Sequence, residues 1–150
     1  MSDRAASSSG RFSNAARSKA RRLAMQAVYQ WQMNALDAAD LIAQYLADED
    51  NRNADAEYFG TLLRGVVHGH AVLDELLAPT LARPLDEVDP VERAVLRVAA
   101  FELQQCLDVP YRVVLNEAVA LTKKFGAEQG HTFVNAALDK LARTLRAAEM

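Results

Sequence analysis

The outward face of one helical segment carries side chains of the kinds that bind single-stranded RNA. From about Arg17 the apolar residues recur at helix spacing, and the apolar stripe consists of Ala20, Leu23, Ala24, Ala27, Val28 and Trp31. At 100° per residue, Tyr29 falls roughly 165° from the centre of that stripe, on the side that also carries Lys19, Arg22 and Gln26. Bases stack on aromatic rings while lysine and arginine hold phosphates, so this face is a candidate RNA-binding surface. The alternative is a surface tyrosine that packs on a neighbouring helix.

A second aromatic residue has a comparable position near the end of the chain. Phe133 lies about 110° from the apolar stripe of the last predicted helix, on the flank that carries Lys140. It follows a glycine-flanked loop over residues 126–130, which Lys123 and Lys124 precede. If the first and last helices were neighbours, the two aromatic residues would form one stacking surface. Otherwise Phe133 is a second-layer core residue.

The sequence lacks the patterns that usually accompany catalysis or metal binding. It contains no phosphate-binding glycine loop, no nucleophile elbow and no paired zinc-ligand spacing. His68 and His70 would point about 160° apart on a helix, so they cannot share a metal ion. Cys106 ends the most apolar segment, and we expect a buried, inert thiol because nothing nearby would lower its pKa. We therefore expect no catalytic residue, no metal site and no cofactor.

The elements that must position these side chains are all helical, because no segment alternates apolar and polar residues with a period of two. The predicted helices cover about residues 17–34, 37–47, 55–81 and 91–107, then one that starts at Asp108-Val109-Pro110 and ends at Gly126, and one after Gly130. Asp89-Pro90 is a strong helix start. Gly126 is expected to be a left-handed C-terminal residue. The glycines at 60, 65 and 69 predict close helix packing or a break near residue 69.

These patterns predict an all-α fold, a compact bundle of about six or seven helices. We expect residues 1–16, which are rich in serine and alanine, to be a disordered basic tail, and residues 17–150 to form a single RNA-binding domain. No run approaches 18 apolar residues, the N-terminus lacks the apolar stretch of a signal peptide, and one cysteine cannot form an internal disulfide. A cytoplasmic protein without a membrane segment is therefore expected.

Charge is strongly segregated along the 150 residues. Residues 1–36 carry six basic groups and one acid, residues 37–108 carry five basic groups and fifteen acids, and residues 109–150 carry six basic groups and four acids. The net charges are therefore +5, −10 and +2, which sum to the −3 of the whole chain. A basic end and an acidic middle suggest two surfaces that meet different partners. The alternative is a solvated basic tail on an acidic domain.

Several phrases, in this order and spacing, resemble the NusB family of transcription antitermination factors. The resemblance covers about residues 16–146 and rests on RRLAMQAVYQWQ (21–32), VERAVLR (91–97), DVPY (108–111), LNEAV (115–119), KFGAE (124–128) and FVN (133–135). It implies an all-helical RNA-binding protein without enzymatic activity. It also implies a partner, the small-subunit ribosomal protein NusE, with which the family binds the boxA element of nascent RNA. In the family this complex joins RNA polymerase and suppresses termination, notably during ribosomal RNA synthesis.

The resemblance also implies which residues contact RNA and protein. The RNA-binding positions of the family correspond to Arg17, Lys19, Arg21, Arg22, Gln26, Tyr29, Lys123, Gln129 and Phe133. Glu92 corresponds to a position that meets NusE. The arginine-rich motif departs from the family pattern, since Ser18 interrupts it and Arg22 stands where an acid is often found; Gln129 occupies a loop position that can be acidic. Some family members self-associate, which leaves a homodimer open.

Two other functions fit the residues alone. One is a helical protein–protein adaptor, whose acidic middle binds a basic partner and whose basic N-terminus only adds solubility. The other is a small enzyme. RNA binding by the isolated chain separates the RNA-binding function from the adaptor, and turnover of a substrate would be required for the enzyme.

Overall fold

Six α-helices make up the part of the chain that the computed structural model describes, which is the backbone from Ser2 and the side chains of residues 14–150. The helices are α1 (Ser2–Asn34), α2 (Ala38–Ala47), α3 (Ala56–Leu77), α4 (Pro90–Gln105), α5 (Tyr111–Phe125) and α6 (Gly130–Leu145). Single 3₁₀ turns lie at Glu49–Asn51, Ala78–Thr80, Leu85–Glu87 and Ala147–Glu149. No strand occurs in the described residues, and the predicted all-α fold is confirmed.

The N-terminal boundary of the first helix differs from the sequence prediction. Residues 14–16, which we expected to end a disordered tail, are helical and continue directly into the segment that begins at Arg17. The remainder of the predicted tail, residues 1–13, lies outside the residues whose side chains are described.

Helix α4 lies at the centre of the core and packs against α1, α3, α5 and α6. This position agrees with its nearly continuous apolar surface. The contact with α3 is close: a Cβ at Gly65 would lie 2.1 Å from the Phe101 ring. Helix α3 continues without a break through Gly69. Close packing between helices therefore explains Gly65, whereas a Cβ at Gly69 would have no atom within 4 Å.

The ends of three helices test the predicted start and stop signals. Asp89 caps α4 as predicted, since its carboxylate accepts hydrogen bonds from the backbone of Val91 and Glu92. The predicted left-handed Gly126 is wrong, because its backbone is extended (φ −87°, ψ −179°). Gln129, which directly precedes α6, has the left-handed conformation instead (φ 68°).

Arg146 closes the C-terminal end of α4, which the sequence patterns did not indicate. Its buried guanidinium donates hydrogen bonds to the carbonyls of Glu102, Leu103, Cys106 and Val109. The last carbonyls of a helix lack partners within the helix, so this side chain satisfies groups that would otherwise be buried alone. Within the described residues, no helix is long and apolar enough to cross a membrane.

Candidate nucleic-acid interface

The outward face of α1 lies where the helical spacing predicted it. Ala24 and Val28 are completely buried, whereas Tyr29 is 39% exposed. Arg22 and Gln26, on the same side as Tyr29, are half-buried. Tyr29 is therefore a surface residue, and its neighbours include both a cation and an amide.

Adjoining grooves run along this face of α1 beside the C-terminal end of α5. The first has a volume of about 350 Å³ and is bordered by Lys19 and Arg22 of α1 and by Lys124 of α5. The second, of about 580 Å³, shares Arg22 and Lys124 with the first and extends to Gln26 and Phe125. The shared residues show that the two grooves are continuous.

The third groove continues from the second and has a volume of about 370 Å³. It shares Gln26, Tyr45 and Phe125 with the second groove and ends at Tyr29. We call the three grooves together the α1–α5 channel. From Lys19 to Tyr29 the channel follows about 15 Å of helix, at 1.5 Å per residue.

The two ends of the α1–α5 channel differ in chemistry. Cationic side chains border one end, and tyrosine and phenylalanine rings border the other. Phe125 is 36% exposed, so its ring is accessible from the channel. Cations that hold phosphates, followed by rings on which bases stack, form the combination that binds single-stranded nucleic acid.

Lys19 joins α1 to the loop that follows α2. Its ammonium group donates hydrogen bonds to the backbone carbonyl of Asp50 and to Oδ1 of Asn53, the latter at 2.7 Å. Lys19 therefore contributes positive charge at the end of the channel while it holds this loop against α1.

Arg17 lies outside the α1–α5 channel, against the start of α3. Its guanidinium lies 4.4 Å from the centre of the Tyr58 ring. It is also within 3.6 Å of the Asp55 carboxylate and 3.9 Å of the Asp108 carboxylate. With Asn116 it borders a further groove of about 440 Å³, which adjoins the first groove of the channel at Ser18. Two nearby carboxylates partly offset the charge that Arg17 could offer a phosphate.

Arg21, which the family resemblance assigns to RNA contact, is buried in an ion-pair network of the core. Its side chain is only 4% exposed. Nε donates to both carboxylate oxygens of Glu102 at 2.9 Å, and Nη1 donates to Glu117 at 2.8 Å. Helical position explains the burial: Arg21 lies one residue from Ala20 on the edge of the apolar stripe, so it faces α4 and α5.

The buried carboxylate of Glu102 is the centre of this network. The Tyr58 hydroxyl also donates a hydrogen bond to it. Burial, followed by the charge of Glu102, raises the pKa of Tyr58, so the hydroxyl stays protonated and remains a donor. Burial also raises the pKa of Glu102, and the pairing with Arg21 opposes that effect. Glu102 gives no signal in the sequence, because its neighbours in α4 are almost all apolar.

Glu92, which the family resemblance assigns to the contact with a protein partner, is buried in the isolated chain. It is 3% exposed, and its carboxylate accepts a hydrogen bond from the Ala127 backbone at 3.3 Å. A Cβ at Gly130 would lie 2.3 Å from this carboxylate. Burial is the main cause that raises the pKa of Glu92. Glu92 thus holds the loop between α5 and α6.

The remaining predicted residues do not border the α1–α5 channel. Lys123 and Gln129 are exposed, at the end of α5 and the start of α6. Phe133 is half-buried against the core, and the guanidinium of Arg83 lies 4.9 Å from its ring centre. Helices α1 and α6 are not a closely packed pair, so Tyr29 and Phe133 do not line a common groove.

Two residues of the channel, Lys124 and Phe125, were missed as site residues. Phe125 has the spacing of the apolar stripe of α5, but it occupies the last position of that helix, beyond its buried neighbours. A phenylalanine after two lysines at a helix end was the available signal. Elsewhere in the described residues, no group of three or more histidine, cysteine or acidic side chains is arranged to hold a metal ion.

Comparison with curated proteins identifies close relatives. The chain is 51% identical over 132 residues to the transcription antitermination protein NusB of Idiomarina loihiensis, covering 88% of this chain and 95% of that protein. It is 54% identical over 125 residues to NusB of Shewanella halifaxensis, covering 83% and 93% of the two chains.

Solved structures share the fold. NusB of T. maritima matches with a TM-score of 0.74 and 26% identity, over 85% of this chain and 90% of that one. A chain in the crystal structure of antitermination factors NusB and NusE with double-stranded RNA matches with a TM-score of 0.77 and 27% identity, over 85% and 96%. The NusB family model matches residues 18–143. The chain therefore belongs to the NusB family.

Proposed function

We propose that this protein is a transcription antitermination factor that binds the boxA element of nascent RNA together with NusE. The α1–α5 channel carries the proposal, because it joins cations to exposed aromatic rings over a length of helix. The names of the curated relatives and the solved complex that contains NusB, NusE and RNA support it. As in the family, the complex would join RNA polymerase and favour reading through terminators.

The RNA strand would follow α1. Lys19, Arg22 and Lys124 would contact phosphates, and Gln26 and Tyr29 would contact bases. Arg17, Lys123, Gln129 and Phe133 lie outside the channel and remain candidates for the RNA that extends beyond it. Arg21 would act indirectly, by fixing α1 against α4.

The protein partner would bind the acidic part of the chain. Residues 37–108 carry a net charge of −10, which suits a ribosomal protein basic enough to bind RNA. Glu92 is buried, so the exposed acids Asp86 and Glu87 just before α4 are better candidates for the contact. Self-association through the same surfaces would compete with these partners.

We infer a binding protein rather than an enzyme. The thiol of Cys106 is buried, and burial raises its pKa, so it is a poor nucleophile. The NusB relatives are named for antitermination.

Titration of a labelled boxA-like RNA, with and without NusE, tests the proposal. Wild-type protein should bind the RNA, more tightly with NusE, and affinity should fall with salt at a log–log slope of about 0.7 per phosphate contact. Lys124→Ala should weaken binding and flatten the slope, whereas Arg64→Ala, which removes an exposed cation on α3, should do neither. Binding to NusE without measurable RNA affinity would instead favour the adaptor function.

A further inference from the structure

The third groove of the α1–α5 channel has the composition of a pocket for a single base. Rings of Tyr29, Tyr45 and Phe125 border it, and Met25 and Val91 complete its apolar wall. Its volume of about 370 Å³ lies within the range of about 300–1,000 Å³ that is usual for small-molecule pockets. Aromatic and apolar walls with few polar groups suit the faces of a planar base.

Gln30 supplies an oriented polar group in this pocket. The hydroxyl of Tyr45 donates a hydrogen bond to Oε1 of Gln30 at 2.9 Å. Burial raises the pKa of Tyr45, so its hydroxyl remains a donor. With its carbonyl occupied, Gln30 offers Nε2, which has no hydrogen-bond partner among the described residues. The side chain is therefore a fixed donor beside an apolar pocket.

The occupant of the pocket follows from the charge of the channel. The pocket adjoins the second groove, which Arg22 and Lys124 border together with Asp48 and Asp50. The second groove leads to the first, where the cations Lys19, Arg22 and Lys124 outnumber the one carboxylate, Glu117. A strand whose phosphates lie against these cations would bring a base to the aromatic end. An apolar protein segment would have no need of the adjoining cations.

We propose that this pocket binds one base of the RNA strand, stacked against Phe125 and Tyr29, and that Gln30 selects a base that presents a hydrogen-bond acceptor to Nε2. The inference rests on the proposed function and adds a specificity-determining residue to it. Phe125 provides affinity for any base, since every base has a π-face. Gln30 provides the preference among bases, because a site with an oriented donor discriminates against a base without a matching acceptor.

An abasic scan tests the stacking role of Phe125. Each nucleotide of a boxA-like RNA is made abasic in turn, and binding is measured for the wild type and for Phe125→Leu, which keeps apolar bulk without the ring. At one position the wild type should lose about 5- to 150-fold in affinity, the equivalent of about 1–3 kcal/mol, and Phe125→Leu should lose much less there. Equal profiles for the two proteins at every position would overturn the proposal.

Base substitution at that position tests Gln30. The wild type should distinguish the bases by about 2- to 12-fold, the range of one hydrogen bond. Gln30→Leu should flatten this preference and leave binding of the abasic RNA unchanged. Gln105→Leu, which alters an exposed glutamine at the end of α4, is the matched control. An unchanged base preference in Gln30→Leu would overturn its role.

The failure of this inference differs from the failure of the proposed function. If the wild-type protein bound no RNA, even with NusE, both the proposed function and the base pocket would be contradicted. If RNA binding were salt-dependent but the abasic scan found no nucleotide whose effect depends on Phe125, only the base pocket would be contradicted. If Phe125→Leu weakened NusE binding while the abasic profile stayed that of the wild type, the pocket would hold a protein side chain instead. Thermal unfolding of each variant confirms that the fold is retained.

Discussion

Arg21 and Arg22 are adjacent in sequence, but their replacement by methionine should have different effects. Arg21→Met should mainly lower the stability of the fold, and Arg22→Met should mainly weaken RNA binding. Both side chains border the first groove of the α1–α5 channel, but Arg21 is 4% exposed and paired with Glu102, whereas Arg22 is only half-buried. Removing one partner of a buried ion pair leaves an uncompensated charge, which costs about 3–5 kcal/mol. For a domain of this size that lowers Tm by about 6–20 °C. A substitution at the surface position of Arg22 should change stability by about 0.5 kcal/mol or less.

In RNA binding, Arg22→Met should have the larger effect and Arg21→Met the smaller one. Arg22→Met removes a proposed phosphate contact and should lower the log–log salt slope of RNA binding by about 0.7. Folded Arg21→Met, measured well below its Tm, should keep the wild-type slope. Circular dichroism melts and RNA titrations at several salt concentrations make both comparisons. If Arg21→Met melted like the wild type but had the flatter slope, Arg21 would be an RNA contact and its assignment to the core would be refuted.

The pH dependence of Arg21→Met provides a separate check. Without Arg21, burial should raise the folded-state pKa of Glu102 further, because the Tyr58 hydrogen bond then has to oppose burial without the guanidinium charge. A raised folded-state pKa means that stability is greatest below the unfolded pKa and is lost as pH rises through the folded value. The stability difference from the wild type should therefore be smaller near pH 5 than near pH 8. A difference that grows on acidification would contradict this explanation.

Four further substitutions or treatments test individual residues. Tyr29→Ala should weaken RNA binding by about 5- to 150-fold in titrations with little change in Tm, since the ring is exposed; a large drop in Tm would make it a packing residue. Truncating a fully buried phenylalanine costs about 3–5 kcal/mol, and Phe133→Ala should cost less because Phe133 is only partly buried, so its Tm should fall by a correspondingly smaller amount. Unchanged RNA affinity in this variant would remove Phe133 from the candidate contacts. Glu92→Lys should lower Tm by the equivalent of about 1–3 kcal/mol, because it removes the acceptor for the Ala127 amide. Glu92→Gln keeps an acceptor and should retain most of the stability. If Glu92→Lys lost NusE binding while its Tm stayed that of the wild type, Glu92 would be a direct contact with NusE. Cys106 should react slowly with a thiol reagent at pH 8 and rapidly after denaturation, because burial raises its pKa; fast reaction in the native state would disagree.

The apolar periodicity was sufficient to predict the helices and the outward face of α1. Helical angle placed Tyr29 and Gln26 correctly because both lie well away from the apolar stripe. Asp89-Pro90 was recognised because its capping is local to the sequence. These features depend on neighbouring residues along one helix, which a single sequence contains.

The sequence could not show the surroundings of a residue where a contact from another helix or loop decides them. Arg21 looks like part of a basic motif, and only the Glu102 carboxylate of α4 shows that it is buried. Glu92 looks like an exposed residue at a helix start, and only the loop at Ala127 shows its partner. Phe125 has the spacing of a core residue but lies at the end of its helix. Pairing across helices has no signal in the spacing of one helix.

The most direct test of the proposed RNA site is an NMR titration of isotope-labelled protein with a single-stranded boxA-like RNA. The signals that shift should belong to the outward face of α1 between Lys19 and Tyr29 and to Lys124 and Phe125 at the end of α5. A double-stranded RNA of the same sequence, run in parallel, should shift the Tyr29 and Phe125 signals less, because its bases are already stacked. Shifts that avoid this face of α1 and appear on another surface would contradict the assignment of the α1–α5 channel as the RNA-binding site.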